Sequence, residues 1–83
     1  MMNVKMLKAL IETSIEGTKA LVESEDNVHF TATIISECFN GVSSKVKQQQ
    51  MVYAVLNPYI ASGELHAIAM KTYTPEKWQS LQA

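Results

Sequence analysis

Hydrophobic positions along this chain change their period several times, and the changes mark its elements. Val4, Leu7, Leu10 and Ile11 recur at helical spacing while Lys5, Lys8 and Glu12 fall off that stripe, which predicts a helix over 3–15. Gly17 is a natural stop, since glycine accepts a left-handed backbone without steric cost. Residues 19–23 are short and apolar enough for a strand, and Ser24-Glu25-Asp26-Asn27 reads as a polar turn. Over 28–35 the period becomes two and the residues β-branched: Phe30, Ala32 and Ile34 share one face, His29, Thr31 and Thr33 the other. These two strands and their turn form a hairpin.

Ser36 caps a short helical turn through Cys38 and Phe39, which Asn40-Gly41 ends. Ser43 or Ser44 then caps a longer helix to about Ala61. Its expected buried stripe is Val46, Tyr53, Leu56 and Ile60, broadened by Val52 and Val55. Pro58 falls inside it and predicts a kink or break, because proline lacks the donor and clashes with the carbonyl four residues back. Ser62-Gly63 closes that element, and residues 65–72 read as a third strand. Thr74-Pro75-Glu76 starts a last short helix: the threonine caps, the proline takes the first helical position, and the glutamate opposes the dipole. Trp78 is expected to anchor that helix to the body.

The order is αββααβα. Strand three is separated from the hairpin by a helical crossover, so one pairing is expected to be parallel. An α+β fold follows, a three-stranded sheet with helices packed on one face, in a single domain over 1–83. With 83 residues the core is small.

Composition narrows what such a domain does. Apolar content is 47% and the formal charge −1, which excludes a disordered chain. Cys38 is the single cysteine, so no disulfide forms within the chain. No apolar run approaches the roughly 20 residues that span a bilayer. Lys5 and Lys8 interrupt the segment where an export signal needs its apolar stretch. A cytoplasmic protein without membrane attachment is the expectation. All seven basic residues are lysines. Without arginine, the residue best suited to bidentate recognition of phosphate and guanine, a sequence-specific DNA reader starts at a disadvantage.

Catalytic chemistry finds little support. Cys38 has no basic neighbour and reads as a small buried hydrophobe. Glu25-Asp26 reads as a solvated turn rather than an acid–base pair. No glycine-rich phosphate loop or Gly-x-Ser-x-Gly elbow occurs, and the protein is expected not to be an enzyme. Two features remain. His29 begins strand two and His66 begins strand three, so both can lie at one end of the sheet. Two imidazoles do not complete a zinc site, which takes three or four protein ligands. They read as ordinary strand histidines or as half of a site completed by a partner. The second feature is a helix, a glycine turn and a helix, the outline of a helix-turn-helix over 37–57. Lys45, Lys47, Gln48, Gln49 and Gln50 open its second helix and can touch phosphates or adenine edges, or simply form a solvated face.

Several segments together resemble the BolA family, and its IbaG-like bacterial branch in particular. They are His29-Phe30, then Ile35-Ser36-Glu37-Cys38-Phe39-Asn40-Gly41, then Val46 to Tyr53 (Val-Lys-Gln-Gln-Gln-Met-Val-Tyr). Gly63-Glu64-Leu65-His66-Ala67-Ile68 and Lys71-Thr72-Tyr73-Thr74-Pro75-Glu76-Lys77-Trp78 complete the set, and the closing part is the most specific. The resemblance covers nearly the whole chain. It implies a fold similar to a type II KH domain. It implies pairing with a monothiol glutaredoxin of the Cys-Gly-Phe-Ser type and a shared [2Fe–2S] cluster, with glutathione supplied by the glutaredoxin. His66 matches the family's C-terminal histidine ligand, and His29 is the residue available for the second. Nitrogen ligation raises a cluster's potential relative to thiolate alone. The resemblance also implies an alternative, a DNA-binding transcriptional regulator acting through the helix-turn-helix-like segment. Alone, the protein is expected to be a monomer or weak homodimer.

Overall fold

The computed structural model describes residues 1–82. Three strands form one mixed sheet in the order β1-β2-β3. Helix α1 (Val4–Ser14) precedes strands β1 (Thr18–Glu23) and β2 (His29–Ser36), which pair antiparallel, with Thr18 opposite Ser36 and Glu23 opposite Thr31. A 3-10 turn (Glu37–Phe39) leads into α2 (Lys45–Ala61), which crosses back to β3 (Ala67–Tyr73); α3 (Pro75–Gln82) follows directly. Strand β3 runs parallel to β2, with His29 opposite Ala67 and Ile35 opposite Tyr73. The expected α+β order and parallel crossover pairing are therefore present.

Local chemistry explains the boundaries. Asn3 caps α1 by accepting from the Met6 amide, and Ser44, not Ser43, caps α2 by accepting from Lys47. Gly17 turns the chain into β1 with φ +70°, a conformation that favours glycine. Pro58 does not break α2, which continues through it to Ala61. The reason is position: Pro58 and Ala54 are both exposed, so the Ala54 carbonyl that lost its donor is open to solvent.

The core lies between the sheet and the two long helices. Leu7 and Ile11 of α1, Val52 and Leu56 of α2, and Ala20, Phe30, Ala32 and Ile34 of the sheet are buried together with Met2, Phe39 and Leu65. Burying each large aliphatic side chain contributes roughly 1.5–3 kcal/mol. The stripe expected on α2 is displaced: Val46 is 64% and Ile60 38% exposed, and Gln48, Val52 and Leu56 form the buried line. Apolar residues surround α2 too evenly for periodicity to select one face.

Helix α3 refines the layer arrangement. Ile35 and Tyr73 are register partners on the set of positions alternate to Ile34 and Thr72, and Ile35 is buried outside the main core. Trp78 is half-buried, its ring centroid 5.4 Å from Tyr73. The last helix thus caps the C-terminal end of the second sheet face, while α1 and α2 cover the first.

Edges are managed by side chains. Strand β1 is an edge, and α1 occupies it: the Glu12 carboxylate accepts from the Ala20 amide at 2.9 Å, and Lys8 donates to the Ala20 carbonyl at 2.7 Å. Lys8 and Glu12 also pair with each other at 2.8 Å. The Lys8 ammonium first, then the Ala20 amide, hold the Glu12 carboxyl below its ordinary range.

Candidate metal centre

Both histidines stand at one end of the sheet because two parallel strands begin there. The α2 crossover returns the chain to the start of β2, so β3 opens beside it. Gly63, at φ +83°, lets the chain leave α2 and reverse. Leu65 is then driven into the core, its amide donating to Tyr59 at 3.0 Å, and His66 is exposed between that anchor and the first residue of β3. His66 therefore precedes the strand rather than opening it. His29 does open β2, opposite Ala67, so the two histidines are one register position apart on adjacent strands.

His29 is the better defined of the two. Its Nδ1 lies 2.9 Å from Oδ2 of Asp26, and the imidazole is 76% exposed. The other oxygen of Asp26 accepts from the amides of Val28 and His29, both at 2.9 Å. Ser24 closes the same turn: its hydroxyl donates to the His29 carbonyl at 2.6 Å and accepts from the Asn27 amide at 2.9 Å. Asn27 takes the left-handed conformation, φ +58°, which asparagine tolerates better than most residues. The His29 imidazole first, then the two amides, push the Asp26 carboxyl well below the usual carboxylate range. In the sequence Asp26 reads only as part of a solvated turn. The signal that pointed to more was its spacing: a carboxylate three residues before a strand histidine, inside a tight turn.

The donor types suit a nitrogen-ligated metal on two conditions. His29 shares its set of positions with Ala67 and His66 starts from the alternate set, so the exposed His66 side chain must come round the end of the sheet to meet His29. Two exposed imidazoles supply two ligands, and among the described residues no three His, Cys, Asp or Glu side chains gather as a metal set. Any metal held here takes its remaining ligands from another molecule. One iron of a [2Fe–2S] cluster can take two histidines while the other takes two thiolates, and His29 and His66 are the residues that would supply the nitrogen half here. Cys38 lies elsewhere, half-buried after β2, its thiol directed to the Glu16 carbonyl at 3.1 Å.

The other candidate surface sits at the opposite end of the sheet, where α2 begins. The 17 residues of α2 separate the two ends by about 25 Å. The structure also changes the roles of the residues proposed there. Gln48 is 4% exposed; its amide nitrogen donates to the Val42 carbonyl at 2.6 Å and its oxygen accepts from the Thr72 hydroxyl at 2.8 Å. It is a structural link between α2 and β3, not a base reader. Lys45 is folded back: its ammonium donates to the Thr72 carbonyl and lies 4.5 Å from the Tyr73 ring centroid. Gln49 is half-buried, and Lys47 and Gln50 are exposed. The element before the glycine turn is a single 3-10 turn, Glu37–Phe39, with Phe39 buried. It is too short to serve as the first α-helix of a helix-turn-helix.

Comparison with known proteins defines the class. The model of BolA-like proteins matches residues 5–77. The chain belongs to the BolA family. It is similar to an uncharacterised protein of Haemophilus influenzae, 36% identical over 78 residues, covering 94% of this chain and 89% of that one. It is also similar to the acid stress protein IbaG of Escherichia coli, 46% identical over 55 residues, or 66% of this chain and 64% of IbaG. Among solved structures, a BolA homologue from Coxiella burnetii superposes with a TM-score of 0.83 at 28% identity, covering 95% of this chain and 99% of that one. Among the described residues no helix is long and apolar enough to cross a membrane.

Proposed function

We propose that this protein is a non-enzymatic cytoplasmic adaptor that pairs with a monothiol Cys-Gly-Phe-Ser glutaredoxin and shares a [2Fe–2S] cluster with it. His66 and His29 supply the two nitrogen ligands on this side, and the glutaredoxin cysteine and glutathione the thiolates on the other. The observation that carries this reading is that two exposed histidines stand at the same end of the sheet, His29 opening β2 and His66 just before the adjacent β3. Half a ligand set suits a group that is passed on or sensed, because either protein can be exchanged. The likeness to IbaG, named for acid stress, supports a place for the pair in iron–sulfur trafficking or sensing during stress.

The test is reconstitution of the purified protein with such a glutaredoxin, iron, sulfide and glutathione, followed by visible absorption and circular dichroism. A spectrum distinct from that of the glutaredoxin homodimer, and lost in His66→Ala, is expected. The same spectrum in wild type and His66→Ala sinks the ligand assignment. A second reading, binding of duplex DNA, keeps one observation in its favour: Lys47 and Gln50 point outward from the first turns of α2.

A further inference from the structure

A histidine binds a metal only through a nitrogen that carries no proton, so the position of the proton on a neutral imidazole decides which nitrogen is available. For most exposed histidines nothing settles this. His29 is different. A carboxylate has acceptors only, so the 2.9 Å contact between His29 Nδ1 and Asp26 Oδ2 requires Nδ1 to donate. The lone pair is then left on Nε2, the nitrogen farther from the turn.

The carboxylate is not free to drift away from this duty. Its Oδ1 is fixed by the amides of Val28 and His29, and Ser24 ties both ends of the turn together. Oδ2 is thereby presented to the ring by backbone geometry. A carboxylate behind a metal-binding histidine orients the ring and strengthens the donor nitrogen.

We infer that Asp26 is a positioning residue for the metal centre: it fixes the proton of His29 on Nδ1 and turns Nε2 outward as the ligand atom. The inference rests on the cluster-sharing reading above. It adds a requirement that the two histidines alone do not express, and it explains why the turn at 24–28 is built around a carboxylate.

Asp26→Asn separates this role from a structural one. The amide oxygen still accepts from Val28 and His29, so the turn is kept. The amide nitrogen replaces Oδ2 and only donates, so it favours the opposite tautomer, with the proton on Nε2. Two readouts are needed. The first uses the protein alone: nitrogen-15 spectra of the imidazoles at alkaline pH, where free imidazole is neutral. Wild type is expected to carry the His29 proton on Nδ1, and Asp26→Asn on Nε2. A wild-type proton on Nε2 overturns the inference without any variant. The second uses the reconstituted complex with glutaredoxin, titrated with a chelator while visible circular dichroism is followed. Asp26→Asn is expected to give up the mixed cluster about 10- to 100-fold more readily, the range typical when the partner of a metal-bound histidine is removed. His29→Ala is expected to do so at least as readily. If Asp26→Asn holds the cluster like wild type while His29→Ala loses it, Asp26 has no positioning role and the adaptor reading survives. If His29→Ala also matches wild type, His29 is not a ligand and the inference fails with it. If wild type forms no mixed cluster, the adaptor reading falls and the role of Asp26 toward it falls too, whichever tautomer the spectra show.

Discussion

Gln48 illustrates how much one side chain can mislead when its surroundings are unknown. As a polar residue near the start of a helix it has the chemistry of an adenine reader. In the fold it spends both ends of its amide on Val42 and Thr72. Gln48→Leu keeps similar bulk but leaves the Thr72 hydroxyl and the Val42 carbonyl without partners. We expect a loss of about 1–3 kcal/mol in stability by urea unfolding, the cost of stranding buried polar groups. Adding Thr72→Val should recover part of that loss, since one stranded group is removed. Equal midpoints for wild type and Gln48→Leu would refute the structural role. Although His66 lies just before β3 and does not begin it, that both histidines fall at one end of the sheet was legible from sequence. Asp26 was not, because its value lies in a hydrogen bond across a turn whose shape depends on Ser24 and Asn27 as well.

Elements show a similar division. Strand β2 and helix α1 could be read because each presents one periodic apolar face to one neighbour. Helix α2 could be found but not oriented, since apolar residues lie all round it and only the crossover to β3 selects the buried side. The pairing of α1 with the edge of β1 was also invisible. Lys8 and Glu12 look like an ordinary i, i+4 surface pair, yet they satisfy both backbone groups of Ala20. Strand edges with free backbone groups invite pairing with other chains, and this contact occupies the β1 edge at Ala20. Glu12→Ala should cost about 1–2 kcal/mol in urea unfolding. Glu12 also predicts a pH dependence. Its carboxyl is held below its ordinary value of 4.5 in the folded chain. Its contribution is therefore complete above that value and is lost as pH falls through the lower folded one. Asp26 has the same sign. Urea midpoints measured from neutral pH to pH 3 should fall less steeply for Glu12→Gln than for wild type. An identical acid limb in the two proteins would show that Glu12 contributes nothing.

For the molecule as a whole, the decisive feature is that the two candidate surfaces occupy opposite ends of the sheet. On the adaptor reading proposed above, a glutaredoxin at the histidine end would leave the start of α2 exposed. Binding of DNA there should be weak and nearly independent of glutaredoxin. With Lys45 engaged by Thr72 and Tyr73, Lys47 is the exposed lysine left in the first turn of α2. Anisotropy of a labelled duplex across a salt series should give a log–log slope of about −1, the value for roughly one neutralised phosphate. A slope of several units would restore the DNA reading and require lysines from elsewhere on the surface.

Order of elements, the parallel crossover, the family and the location of both histidines toward one end of the sheet were all legible in 83 residues, because local period, capping residues and short motifs are properties of neighbouring positions. Three things were decided only by tertiary structure: the buried face of α2, the duties of Gln48 and Lys45, and the carboxylate behind His29. Each depends on groups brought together from distant segments or around a turn of particular shape. Side-chain type states what a residue can do, and the neighbour supplied by the fold determines which of those capacities it uses.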